Sequence, residues 1–209
     1  MWSSIVMRSV NLNRDREVKQ VRHFLSGFNL SFDAAVDYTV ALYHEDNIVA
    51  TGSLAGEVLR NFAVDESMQG AGLTATVISE LMREAAQRGV FHYFIFTRPT
   101  KSHLFAALGF AEIARAEPYA AVLEAGMGSI DDYCSALRKQ TANFTDGAAA
   151  IVMNANPFTR GHLALVEQAA AKHNVIVFVV EEDKSVFPFT DRLRLIREGT
   201  AHLQNVAVV

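Results

Sequence analysis

Residues 151–170 read Ile-Val-Met-Asn-Ala-Asn-Pro-Phe-Thr-Arg-Gly-His-Leu-Ala-Leu-Val-Glu-Gln-Ala-Ala. An apolar run ends in a polar turn containing a proline. Leu163, Val166 and Ala169/Ala170 then recur at helical spacing. Strand, turn and helix N-terminus in that order are the unit from which α/β layers are built. The chemistry of the turn is local. Asn156 precedes Pro157 and is pushed to extended backbone. A helix opening near Gly161 leaves backbone N–H groups unpaired and turns its positive dipole end to the turn, which makes an anion site. Gly161 allows close approach to the backbone. His162 can set an N–H against a phosphoryl oxygen as negative charge builds there. The expected ligand is a nucleotide. The same residues also fit a plain helix start, with Thr159 as the cap and His162 on the first turn.

The rest of the chain sorts into two units. Strand signals at 5–10, 38–43, 48–54, 58–64, 91–97, 110–114 and 119–123 alternate with helix signals at 14–28, 74–87 and 102–108. Gly126, Gly128 and Ser129 interrupt that pattern, and 131–140 reads as a helical connector before a polar, turn-rich stretch at 141–147. From Ala148 the order is strand (148–154), helix (162–172), strand (175–180), helix (191–202), strand (206–209). That alternation predicts βαβ crossovers and a parallel sheet with ligands at the carboxyl strand ends. The expected domains are 1–125, a linker at 126–147, and 148–209.

Half of the 209 residues are hydrophobic and a fifth are charged, so the chain can bury real cores. A net charge of −4 argues against a nucleic-acid groove, which needs clustered Lys and Arg. No apolar stretch approaches the length of a membrane span, and residues 1–10 lack a long apolar signal core. Cys134 is the only cysteine, which excludes an internal disulfide and a cysteine-rich metal site and points to a cytoplasmic setting.

In the first unit, Gln69-Gly70-Ala71-Gly72 stands at the mouth of helix 74–87, where backbone N–H groups can hold the pyrophosphate of a coenzyme A-like group. The segment resembles the Q/R-x-x-G-x-G/A signature of the GNAT acetyltransferase fold, with Thr74 in place of the last small residue. Lys101 to Gly109-Phe110 resembles the GNAT segment that often carries a tyrosine four residues before the glycine, where it protonates the leaving thiolate. Here that position is Phe105, which has no proton to give.

In the second unit, Asn154-Ala155-Asn156-Pro157-Phe158-Thr159-Arg160-Gly161-His162 resembles the T-x-G-H signature of the nucleotidylyltransferase superfamily. Its flanks closely resemble the citrate lyase ligase family. The likeness continues through Asp183, Ser185, Phe187-Pro188 and Asp191-Arg192. It implies a GNAT-like α+β domain followed by the first half of a Rossmann-like α/β domain. It also implies an ATP-dependent, cytoplasmic ligase that forms acetyl-AMP from acetate and acetylates the prosthetic-group thiol of the citrate lyase acyl carrier protein. His162 and Thr159 would stabilise the triphosphate, aided by Mg²⁺. Asn154, Asn156, Pro157, Phe158, Gly161, Asp183, Ser185 and Arg192 would line the nucleotide. Asp183 and Ser185 are alternative candidates for ordering substrate or Mg²⁺, and no metal-ligand set is assigned. The rival readings are an acetyltransferase using acetyl-CoA and a catalytically incomplete module that binds nucleotide or carrier. The basic second phosphate motif of nucleotidylyltransferases is not found in the 209 residues, and the second unit has only about sixty residues. The expectation is therefore a piece of a longer enzyme.

Overall fold

The computed structural model describes residues 5–32, 35–145, 147–181 and 185–209. The chain divides into two compact units, Met1–Ile130 and Asp131–Val209.

The first unit is built on β1 (Ile5–Ser9), α1 (Asp15–Ser26), β2 (Tyr38–His44), β3 (Asn47–Ala55), β4 (Val58–Val64), α2 (Leu73–Gln87), β5 (His92–Thr97), α3 (Ser102–Ala106), β6 (Ala111–Ala116) and β7 (Ala120–Gly126). The seven strands form one sheet in the order β1-β2-β3-β4-β5-β7-β6. Neighbours run antiparallel except β4 and β5. Strand β2 shows how alternation places the core. Val40 and Leu42 face one way, into a cluster with Leu73, Val77, Ile78, Leu81 and Ala85 of α2. Ala41 and Tyr43 face the other way, into a cluster with Val21 and Leu25 of α1. Both faces are thus covered, which is why β2 is apolar almost throughout.

Two details shape the end of this unit that carries the Gln69–Gly72 loop. Gly52 of β3 lets α2 lie close to the sheet, because a Cβ there would stand 2.4 Å from Val77 Cγ1. Strands β4 and β5 are in register only at Val58↔Phe94 and Leu59↔Ile95. Both strands run on past that point without pairing to each other, and they part towards their carboxyl ends, beside the start of α2.

The second unit contains α4 (Ile130–Gln140, whose first residue belongs to the first unit), β8 (Ala148–Met153), α5 (Arg160–Ala170), β9 (Asn174–Val179), α6 (Phe189–Thr200) and β10 (Val206–Val208). The three strands are parallel in the order β10-β9-β8. Alternate residues Ala149, Ile151 and Met153 of β8, Val175, Val177 and Val179 of β9, and Val206 and Val208 of β10 share one core with Val166 and Ile196 of the helices. On the other face of β8, Ala148, Ala150 and Val152 are exposed. Helix α5 begins at Arg160 rather than 162, because the Thr159 cap closes its first turn. Helix α6 begins at Phe189, directly after Pro188. No helix among the described residues is long and apolar enough to cross a membrane.

Candidate functional site

The turn after β8 brings its chemistry to the carboxyl edge of the parallel sheet, where an open α/β layer takes ligands. Thr159 is the N-cap of α5, with extended backbone at φ −123° and ψ 171°. Its carbonyl accepts from Leu163 N–H at 3.0 Å. Its own N–H donates to His162 Nδ1 at 3.0 Å, and its hydroxyl lies 2.8 Å from the same nitrogen. An atom that accepts a backbone N–H carries no proton. The hydroxyl therefore donates as well, and the imidazole proton sits on Nε2. This arrangement is the reciprocal cap of a helix start, with histidine at the place usually held by Glu or Gln. Capping and phosphate recognition are compatible here, because the cap uses Nδ1 and leaves Nε2–H as the outward donor.

Gly161 keeps the helix mouth open. A Cβ there would meet nothing nearer than Thr159 Oγ1 at 3.7 Å. Arg160 is exposed beside it at the first helical position. Phe158 is half-buried, and its ring stacks on His162 with centroids 5.9 Å apart and planes 19° from parallel.

Four of the remaining expected nucleotide residues, Asn154, Asn156, Ser185 and Arg192, form a brace beneath the turn. Asn154 Oδ1 accepts from Ser185 Oγ at 3.0 Å and from Arg192 Nη1 at 2.7 Å. Asn156 Oδ1 accepts from Phe187 N–H at 2.9 Å. Pro157 is exposed, joined to Asn156 by a cis peptide bond. Arg192, expected to line the nucleotide, is 0% exposed. Its guanidinium donates to the carbonyls of Phe187 at 3.0 Å, Asn154 at 2.7 Å and Val180 at 2.9 Å. It thereby ties together the ends of β8 and β9 and the loop before α6. The physical reason is its place on the buried face of α6, one turn before Ile196. Asp183 lies outside the described residues.

Two contributors carried weaker signals in the sequence. Ala155 adopts φ +47° at the centre of the turn, a region that residues with a Cβ seldom enter, and it is buried. Gly199 lies against the Phe158 ring, and its only trace in the sequence is a glycine inside a helical pattern. Among the described residues no group of three or more His, Cys, Asp and Glu side chains could hold a metal ion.

In the first unit, Gly70 (φ +84°) and Gly72 (φ +76°) take backbone conformations that favour glycine, and a Cβ at either would meet nothing within 4 Å. Gln69 and Ala71 complete this exposed loop, and Gly72 is the N-cap of α2. The loop stands at the carboxyl end of β4, where β4 and β5 part. Phe105 is buried and packs on Phe62, ring centroids 5.3 Å apart, so no phenolic proton is available at that place. His103 is exposed on α3.

Known proteins share this architecture. A solved GNAT-family acetyltransferase from Staphylococcus aureus Mu50 superposes with a TM-score of 0.50 at 12% identity, covering 60% of this chain and all of its own. The second unit is too short to supply that overlap, so the likeness identifies the GNAT fold in the first unit. Residues 148–209 match the model of the citrate lyase ligase C-terminal domain. The citrate (pro-3S)-lyase ligase of Escherichia coli K12 is 32% identical over 209 residues, all of this chain and 59% of the relative. That of Klebsiella pneumoniae is 35% identical over 207 residues, 98% of this chain and 60% of the relative. The chain thus spans about three-fifths of the length of the curated relatives it matches. By sequence along its whole length and by the domain match that begins at Ala148, the chain is similar to the citrate lyase ligases.

Proposed function

We propose that the chain carries the nucleotide turn and the thiol-binding unit of an ATP-dependent citrate lyase ligase. In this reading an acetate oxygen attacks the α-phosphorus of ATP, the bond to the β-phosphate oxygen breaks, and acetyl-AMP and pyrophosphate result. The prosthetic-group thiolate of the citrate lyase acyl carrier protein then attacks the acetyl carbon and AMP leaves. The carrying observation is the helix mouth at 159–162, where a glycine, a capped hydroxyl and an imidazole of fixed tautomer converge. His162 Nε2–H and the free N–H groups of α5 would meet the phosphates where charge develops, which is the main lever on phosphoryl and adenylyl transfer. The open loop Gln69–Gly72 suits the pyrophosphate of a coenzyme A-like arm in the first unit. The names of the relatives, ligases of citrate (pro-3S)-lyase, support a ligase reading and concern proteins longer than this chain.

The test is calorimetric titration of the chain with ATP and Mg²⁺, comparing the native residue with His162→Ala. The expected result is at least a tenfold loss of affinity, about 1.4 kcal/mol, with the amide spectrum of the fold unchanged. Equal affinity in the two proteins would remove His162 from the reading. The GNAT fold favours one second reading, an acetyltransferase using acetyl-CoA. Tight acetyl-CoA binding with no response to ATP would select it, although Phe105 removes the usual proton donor.

A further inference from the structure

We propose that Gly199 is a positioning residue for the His162 imidazole, acting through the ring of Phe158. The inference rests on the reading of His162 as the phosphate donor, and it adds a remote determinant of that site. Glycine inside a helix costs backbone entropy and gives up helix propensity, so its presence near the end of α6 calls for a physical reason. The reason is steric. A Cβ on Gly199 would stand 2.6 Å from Phe158 Cε1, 3.1 Å from Cδ1 and 3.7 Å from Cζ. The Phe158 ring therefore lies directly on the bare backbone of α6.

The same ring is one of two constraints on His162. Phe158 lies against the imidazole face at 5.9 Å and 19°. Thr159, the next residue, holds the imidazole edge through its N–H and hydroxyl at 3.0 and 2.8 Å. Edge and face together fix both the position of Nε2 and the direction of its proton. Residues 158 and 159 are adjacent, so whatever moves Phe158 also disturbs the cap. Helix α6 is itself anchored under the turn by Arg192, whose bonds to Asn154, Val180 and Phe187 keep the Gly199 backbone from drifting away. The result is a continuous set of contacts from the end of α6 through Phe158 to the outward donor of His162. A methyl at 199 must push the ring outward by about 1 Å to restore ordinary carbon–carbon contact. Displacements of that size at a reacting centre cost up to about a hundredfold in rate.

The experiment uses the full chain labelled with ¹³C and ¹⁵N, and follows the His162 ring resonances by NMR together with ATP·Mg²⁺ affinity. The proteins compared are native, Gly199→Ala, Phe158→Leu and the double variant. In Gly199→Ala the His162 ring signals should move from their native positions, losing the ring-current contribution of Phe158. ATP affinity should fall at least fivefold. In a Phe158→Leu background, Gly199→Ala should add little to either readout, because the obstructed ring is gone. Native amide shifts in β8 and β9 certify folding of the second unit, and the double variant keeps the test valid should the single glycine variant unfold locally. His162 signals unchanged in a folded Gly199→Ala, or equal shifts with and without Phe158, would overturn the inference. Moved signals with unchanged ATP affinity would uphold the mechanical coupling and overturn only the assignment of His162 to phosphate.

Discussion

Replacing Arg192 by methionine tests the brace beneath the turn that follows β8. Methionine is unbranched and adaptable, so it fills much of the same space without donors or charge. The native guanidinium serves three backbone carbonyls, those of Phe187, Asn154 and Val180, and the Asn154 side-chain oxygen. Leaving a buried acceptor unpaired costs roughly 1–3 kcal/mol. Three carbonyls bring the loss to roughly 3–6 kcal/mol after some relaxation. Two effects oppose it. The variant no longer buries a cation, and it removes Arg192 Nη2, which is buried without a hydrogen-bond partner among the described residues. Replacing a whole buried ionic cluster by apolar residues is often neutral, because both partners go together. Here the partners are peptide carbonyls and stay behind, so the loss wins, by roughly 2–4 kcal/mol. Because the chain has two compact units, a single unfolding midpoint would mix them. Hydrogen exchange read by mass spectrometry separates them. Peptides covering β8 and β9 should exchange roughly 30- to 1,000-fold faster in Arg192→Met, while those of β2 and β3 keep their native rates. Arg192→Lys should fall between the two proteins, because an ammonium cannot span three segments as the planar fork does. A change of less than about threefold in β8 and β9 would refute the idea that this guanidinium holds the strand ends together.

Two further expectations concern the first unit. Gly52→Ala drives a methyl to 2.4 Å from Val77 Cγ1 and 3.1 Å from Leu81 and Phe62, so thermal unfolding of this unit should show a loss of about 1–3 kcal/mol; an unchanged midpoint would mean that α2 can lift without penalty. Burial, and then the hydrogen bond to Glu80 at 2.9 Å, pushes the Tyr38 phenol from 10.0 up to about 12. The folded value is the higher one, so this contribution is fully present below about pH 10 and is lost as the pH rises through about 12. Tyr38→Phe should flatten the alkaline fall of stability measured by denaturant titration across that window, and an unaltered slope would count against it.

Sequence alone determined the elements, because the forces that select them act over a few residues. The alternation of Val40 and Leu42 with Ala41 and Tyr43 marks a strand buried on both faces. Val77, Ile78, Leu81, Met82 and Ala85 mark one face of a helix. Thr159, Gly161 and His162 mark a helix mouth, since capping, dipole and chain freedom all belong to adjacent positions. Only the tertiary structure decided how the elements meet. The insertion of β7 between β5 and β6, and the parting of β4 from β5, arise from pairing between distant segments, which no local pattern records. The same holds for individual side chains. Arg192 beside Asp191 reads as part of a nucleotide-lining motif at a helix start, and the structure makes it a buried tie because three carbonyls from separate segments converge on it. Phe158 reads as part of a ligand motif, and its place was set by a glycine on another helix whose missing side chain leaves room for the ring. Local propensity chooses a residue's backbone. The work its side chain does is fixed by burial and by unpaired polar groups brought from elsewhere in the chain.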